Sequence, residues 1–206
     1  LGHVVDAREA GAGLTRIDHV AQTMNYDEML TWVLFYRSIF ATRKSAVVDV
    51  PDPSGLVRSQ VIENDEGTLR LTLNGAENSR TLAGHFVTKT FGSSVQHLAF
   101  ATDDIFASAA AMQLEVLAIN ENYYDDVEAR LGLEPAFVDR LRRYNILYDR
   151  DENGEFFQFY SQTFGEGFFF EILERRGGYA GYGAANAPFR IAAQKQALRP
   201  ATMLSV

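Results

Sequence analysis

One pattern of apolar and polar positions occurs twice along the chain. In residues 16–40 and again in residues 95–113, a short β-branched and apolar run carries a histidine near its middle. A threonine and acidic residues follow each run, and apolar residues at helical spacing come next. The run predicts a strand and the spacing after it predicts a helix. We therefore expect a repeated strand–helix unit, with His19 in the first copy and His97 in the second.

Further strand-like runs follow each unit, separated by turn-forming residues. Asn25 or Asp27 and Thr102 or Asp103 are the expected helix N-caps, because their side chains can accept from the first backbone N–H groups. The first half predicts strands at 45–50, 57–63, 68–73 and 86–90, with turns at 51–55 and 64–67. The second half predicts strands at 115–119, 146–149, 155–161 and 167–174, a hairpin turn at 151–154 and two short helices within 123–144.

The order of elements indicates an α+β protein made of two βαβββ modules. Two open, curved sheets bury their apolar faces most simply by pairing into one half-open barrel. We expect module one at about 15–92, module two at about 93–186 and a closing helix at 187–198. Residues 1–14 are rich in Gly and Ala and are expected to be a linker or the tail of an upstream domain.

Composition narrows the range of partners. The formal net charge of -8 argues against a nucleic-acid partner, which requires a basic surface. No apolar run approaches the roughly 20 residues of a membrane span, so the cytoplasm is the expected location. The chain has no cysteine, so a metal ion would have to be bound by His, Asp or Glu.

Three polar residues lie within otherwise apolar strand-like runs. Strand alternation places His19 with Ile17 and Ala21, His97 with Val95 and Ala99, and Glu171 with Phe169 and Leu173. An ionised glutamate buried without a partner would be very costly, and a bound cation would offset that cost. Two histidines and one carboxylate form the facial triad of non-haem Fe(II) oxygenases.

Several other polar residues have simpler interpretations. A single histidine in a strand is more often an ordinary core or surface residue, but the repeat favours ligands at both positions. His3 and His85 are expected to be solvated, and Glu174, Arg175 and Arg176 to form a solvated strand end.

At these residues the chain resembles the C-terminal half of the 4-hydroxyphenylpyruvate dioxygenase family, within the vicinal oxygen chelate superfamily. The resemblance is carried by IDHV at His19, VQHLAF at His97, FFQFYS at Gln158 and FFFEILER at Glu171. It implies Fe(II) held by His19, His97 and Glu171, although Mg, Mn, Co or Zn could replace it in purified protein. It also implies oxidative decarboxylation and hydroxylation of a small aromatic 2-oxo acid by molecular oxygen, giving homogentisate.

The same resemblance implies a substrate pocket and a lid. Residues 182–189 would form the closing lid. Leu82 replaces a glutamine of the family, and Ala187 with Pro188 replaces an aromatic residue after Asn186. The implied substrate-binding residues are Ser59, Asn74, Gln158, Phe170 and Asn186.

These departures leave alternative functions open. A related arrangement places such a domain after a 3-dehydroshikimate dehydratase barrel in one polypeptide, where it could serve as a metal-binding accessory domain with lost or altered dioxygenase activity. Ring cleavage, lyase or isomerase chemistry on the same metal is the third hypothesis. A homodimer and a fused upstream dehydratase are the expected partners beyond the small-molecule substrates.

Overall fold

The computed structural model describes residues 11–198. Within that range, the α-helices are α1 (Met29–Ile39), α2 (Leu82–Lys89), α3 (Ile105–Ala111), α4 (Glu121–Leu131), α5 (Pro135–Arg143) and α6 (Ala187–Ala197). The strands are β1 (Leu14–Asn25), β2 (Arg43–Lys44), β3 (Val48–Asp52), β4 (Gly55–Glu63), β5 (Arg70–Ala76), β6 (Ser94–Thr102), β7 (Leu147–Arg150), β8 (Gly154–Tyr160) and β9 (Phe169–Gly177).

All of these strands belong to one curled sheet with two similar halves. The order across the sheet is β2-β4-β5-β1-β6-β9-β8-β7, and β3 pairs with β4. In each half the first strand pairs in parallel with the last, β1 with β5 and β6 with β9. The halves join through the antiparallel pair of β1 and β6. This is the predicted half-open barrel of paired modules, and the α+β fold class is confirmed.

Local sequence explains where several elements begin and end. Gly132 ends α4 in the left-handed conformation (φ 60°), and Pro135 begins α5, where a missing N–H costs nothing. In the β7–β8 turn, the Asp151 carboxylate accepts from the backbone N–H groups of Asn153 and Gly154. The two insertion helices, this hairpin and the closing helix agree with the sequence predictions.

Three predicted strands differ in the structure. Residues 86–90 are not a strand, because Phe86 and Val87 are buried on one side of α2, whose N-terminus is capped by Thr81. Residues 45–50 do not form one strand, since β2 and β3 pair separately with β4. Residues 115–119 contribute a single bridge, between Val116 and Ser161.

The helix caps also differ. Asp104, not Thr102 or Asp103, caps α3 by accepting from the N–H groups of Phe106 and Ala107. Asn25 precedes a short 3-10 helix (Tyr26–Glu28) without capping it through its side chain, and Asp27 lies inside that helix.

The largest hydrophobic core lies in the second half. Its aromatic side chains fill the space between β7–β9 and helices α3 to α5, and Tyr123, Tyr124, Phe157 and Phe159 are fully buried. This packing holds β8 and β9 in place, and β9 carries Glu171. In residues 11–198 no helix is both long and apolar enough to cross a membrane.

Candidate metal centre

Three polar side chains converge at the centre of the sheet. His19 on β1, His97 on β6 and Glu171 on β9 are all buried, and their nearest ligand atoms lie within 4.8 Å of one another. Glu171 Oε2 is 3.5 Å from His19 Nε2 and 3.3 Å from His97 Nε2, and the two Nε2 atoms are 3.4 Å apart. Ligand atoms bound at about 2.0–2.2 Å from one ion have separations of this size, so the triad fits a divalent metal ion.

Strand pairing explains why the three side chains meet. β1, β6 and β9 are neighbours, and Ala99 of β6 pairs with His19 on one side and with Glu171 on the other. His97 pairs with Ala21 of β1 in the same way. Because paired residues project from the same face of a sheet, the small side chains of Ala21 and Ala99 leave space between the ligands.

A register irregularity in β1 changes the predicted alternation. The pairing with β6 shifts between Ile17 and His19, and Asp18 and His19 are both buried as a result. Ile17, expected on the histidine's face, is 52% exposed, and Val95, expected with His97, is 42% exposed. The shared faces predicted for those two residues are therefore wrong.

Asp18 fixes the orientation of the His19 ring. His19 Nδ1–H donates to Asp18 Oδ1 over 3.0 Å, which leaves the Nε2 lone pair directed at the site. The fully buried carboxylate of Asp18 also pairs with Arg175 at 3.1 Å and with Arg70 at 2.9 Å. Burial raises the pKa of Asp18, but the hydrogen bonds from His19 and Arg175 outweigh it and hold that pKa well below its usual value.

The remaining ligands are buried among apolar groups. Burial lowers the pKa of His97 to about 4, so its ring is neutral at pH 7. Burial raises the pKa of Glu171, but hydrogen bonds from His19 and His97 bring it down to about 2. The pKa of His19 is raised, because hydrogen bonds to Asp18 and Glu171 outweigh the opposite effect of burial. The negative charge of Glu171 therefore requires a cation, which is either a proton on His19 or a metal ion.

A cavity of about 400 Å³ opens beside the triad. Its wall on β3 and β4 combines the apolar side chains of Val48, Val50 and Val57 with the polar side chains of Ser59 and Glu63. Residues 180–184 and the start of α6 form the opposite wall. A small molecule could therefore reach the three ligands from the open side of the barrel.

The sequence of residues 16–124 matches the model of the Glyoxalase/Bleomycin resistance protein/Dioxygenase superfamily. The chain belongs to this superfamily. It is 46% identical over 192 residues to 3-dehydroshikimate dehydratase of Pseudomonas putida, covering 91% of this chain and 30% of that protein. It is 26% identical over 185 residues to 4-hydroxyphenylpyruvate dioxygenase of Pseudomonas aeruginosa, covering 87% of this chain and 52% of that protein.

Two solved structures share this superfamily fold. A xylose isomerase-like TIM barrel/4-hydroxyphenylpyruvate dioxygenase fusion protein superposes with a TM-score of 0.76 at 44% identity, covering 91% of this chain and 30% of that one. A mutant of 4-hydroxymandelate synthase from Streptomyces coelicolor superposes with a TM-score of 0.78 at 26% identity, covering 89% of this chain and 55% of that one. The resemblance inferred from the sequence is confirmed at the level of superfamily and relatives.

Two of the residues expected to contact substrate, Ser59 and Asn74, line the cavity beside the triad, together with Leu82, which replaces the glutamine of the family. Gln158 and Asn186 are not among its lining residues. Gln158 lies beneath Gly183, and both atoms of its side-chain amide lack a hydrogen-bond partner among the described residues. Asn186 is fully buried and accepts from the Tyr123 hydroxyl at 3.1 Å.

Phe170 does not line the cavity. It packs against Phe100, Phe164 and Phe168 on the other face of β9, because neighbouring residues of a strand point to opposite sides. Phe170 therefore packs within an aromatic cluster, and its position does not support the predicted contact with substrate.

The sequence pattern did not identify several residues that lie around the triad. Arg175 was expected to be solvated, but its side chain is 11% exposed and binds Asp18. Its spacing of four from Glu171 put it on the ligand face, so strand alternation alone could have found it. Tyr182 packs edge-on against the His19 ring, with centroids 5.3 Å apart, and Tyr160 and Arg190 also line the cavity. His85 is exposed as expected, and His3 lies outside the described residues.

Proposed function

We propose that the chain is an Fe(II)-dependent dioxygenase acting on a small 2-oxo acid, with His19, His97 and Glu171 as the metal ligands. The observation that carries the proposal is the convergence of these three ligand atoms, within 4.8 Å, beside an open cavity. A 2-His-1-carboxylate set with free positions is characteristic of non-haem Fe(II) oxygenases. When bound, iron would supply the redox chemistry and a template for substrate and oxygen.

The protein's own residues have supporting roles in this proposal. Asp18 keeps His19 in the tautomer whose Nε2 can bind a metal, and Arg175 and Arg70 pair with the Asp18 carboxylate. Tyr182 covers the His19 ring and donates from its hydroxyl to Glu63 over 3.2 Å, which limits the access of water from that side. Residues 182–189 would thus act as the lid.

Ser59 and Asn74 are the proposed substrate-contacting residues. They are paired across β4 and β5, and both line the cavity. Gln158 and Asn186 are proposed to support the lid segment from below. The relatives named for 4-hydroxyphenylpyruvate and 4-hydroxymandelate make an aromatic 2-oxo acid the first substrate to test, with homogentisate as the expected product.

The test is an oxygen-uptake experiment. The protein is loaded with Fe(II) without air, 4-hydroxyphenylpyruvate is added, oxygen is admitted, and oxygen consumption and homogentisate are followed together. Coupled consumption and product in the parent, but not in Glu171→Gln, would support the proposal. Iron bound without oxygen consumption, for this acid and for simpler 2-oxo acids, would contradict it.

The second candidate is a metal-binding accessory domain of a bifunctional 3-dehydroshikimate dehydratase. It is favoured by the 46% identity to proteins of which this chain spans only 30%. In this proposal residues 15–206 form the superfamily domain, and a dehydratase barrel precedes it. Leu82 and Ala187, both in the cavity wall, would then reflect a cavity no longer shaped for a phenolic ring.

The two candidates differ in a measurable way. The variant Leu82→Gln restores the polar group expected for the family. If both proteins bind Fe(II) but only the Leu82→Gln variant turns over 4-hydroxyphenylpyruvate, the cavity has diverged from that of a working dioxygenase. If neither protein turns over any 2-oxo acid, the accessory role is favoured.

A further inference from the structure

Arg190 is a charged residue in the wall of the cavity. It lies on α6, and its Nη1 donates to Oε1 of the buried Gln194 over 2.6 Å. Its guanidinium carbon is 5.5 Å from the ring centroid of Tyr160 and 5.2 Å from that of Phe169. The Phe169 ring stacks in turn on His97, with centroids 4.7 Å apart. The guanidinium is therefore one aromatic ring away from a proposed metal ligand.

The charge of Arg190 is not balanced by an ion pair. Among residues 11–198 no carboxylate forms a salt bridge with Arg190, whereas Arg70 and Arg175, near the same site, both pair with Asp18. The Tyr160 and Phe169 rings and the Gln194 amide oxygen hold the guanidinium in place, and within the described part of the chain most of its five donors have no acceptor. A half-buried cation in a cavity wall is stabilised when a ligand supplies the missing negative charge.

The surroundings leave the guanidinium accessible. Gly183, Ala184 and Ala187 form the neighbouring wall and have no side chain long enough to cover it. The wall on β3 and β4 contains valines, Ser59 and Glu63, and the Glu63 carboxylate already pairs with Arg43 and accepts from the Tyr182 hydroxyl. A planar guanidinium binds a carboxylate through two parallel hydrogen bonds and is selective for that geometry.

We infer that Arg190 is the anion-recognising residue of this cavity, and that its ligand is a small carboxylic acid whose carboxylate pairs with the guanidinium. The inference rests on the proposed function for the location of the ligand beside the triad. It adds a specificity-determining residue on α6, which lies outside the metal-binding strands.

The test is a calorimetric titration with two acids of equal chain length. 2-Oxopentanoate has one carboxylate and 2-oxoglutarate has two, and each is titrated without air into the Co(II)-loaded protein, so that no reaction with oxygen accompanies binding. The variants are Arg190→Gln, which removes the charge, and Arg190→Lys, which retains it. Arg130→Gln, on the exposed side of α4, is the matched control. Metal content and thermal midpoint are measured for every variant, so that loss of folding or of metal is detected separately.

The expected result is a loss of at least about tenfold in acid affinity for Arg190→Gln, partial recovery for Arg190→Lys and no change for Arg130→Gln. A loss for both acids would assign the pairing to the carboxylate beside the oxo group, and a loss for 2-oxoglutarate alone to the distal one. Equal affinity of the parent and Arg190→Gln, or no binding of either acid by the folded parent, would overturn the inference. If Co(II) fails to bind, the metal proposal fails, and the same titration of metal-free protein still tests Arg190.

Discussion

The buried carboxylate of Asp18 offers the sharpest test of how the site is held together. Its side chain is fully buried and contacts His19 and three arginines, Arg16, Arg70 and Arg175, of which Arg175 is itself only 11% exposed. Asp18→Asn keeps the size of the side chain but removes the charge. Breaking a buried ion pair by removing one partner costs about 3–5 kcal/mol, because the other charge stays buried. For a chain of this length, each 1 kcal/mol lowers the thermal midpoint by roughly 2–4 °C.

The same substitution also acts on the metal. With an amide in place of the carboxylate, His19 loses the charged acceptor that fixes its tautomer, and changes of this kind reduce metal affinity by about 10–100-fold. Thermal unfolding of the metal-free protein measures the loss of stability, and competition with a chelator measures the loss of metal affinity. Asp49→Asn is the matched control, since Asp49 is 63% exposed and lies 3.6 Å from Arg58. An exposed pair of this kind contributes about 0–1 kcal/mol.

A double variant separates the contribution of the Asp18–Arg175 ion pair to stability from that of the surrounding packing. In Asp18→Asn combined with Arg175→Gln, no charge of that pair is left buried alone, so the double variant should be more stable than the sum of the single effects predicts. If Asp18→Asn unfolds within 2 °C of the parent and binds metal equally well, the role given to Asp18 is wrong.

Three further predictions concern single residues. Glu171→Ala should lose tight Fe(II) binding, as measured by metal content after gel filtration without air; retention of iron at the parental level would refute the ligand assignment. Gly183→Ala should destabilise more than Gly165→Ala in thermal unfolding, because both glycines have positive φ but only at Gly183 would a Cβ crowd Gln158, at 2.7 Å. Asp104→Ala should cost about 1 kcal/mol in denaturant unfolding as the loss of an N-cap, whereas the exposed Asp103→Ala should cost little; equal effects would contradict the observed cap.

Local patterns explain much of what the sequence predicted. The repeated histidine-bearing run identified β1 and β6, and the turn chemistry of Asp151 and Gly154 located the β7–β8 hairpin. Gly132 and Pro135 marked the break between α4 and α5. In each case the signal lies within a few residues, where backbone preference and structure agree.

Tertiary contacts decided the features that the sequence could not supply. Residues 86–90 contain β-branched side chains, yet residues 86–89 are helical and Thr90 is the C-cap, because Phe86 and Val87 are buried together against the sheet. α2 also approaches the preceding loop closely, since a Cβ at Gly84 would lie 2.1 Å from the carbonyl oxygen of Asn78. Strand alternation can place Arg175 on the ligand face, but its partner lies 157 positions earlier in the chain, and no local pattern identifies that partner.

The two halves of the sheet place different residues at equivalent positions beside their histidines. Glu171 is opposite Ala99, two residues after the histidine of β6, and Thr72 is opposite Ala21, two residues after the histidine of β1. Thr72 therefore occupies in the first half the position that Glu171 occupies in the second. Its buried hydroxyl lines the cavity and has no hydrogen-bond partner among the described residues. A short, neutral side chain at this position places no charge on that side of the triad, and in the proposed function a chelating acid would bind there.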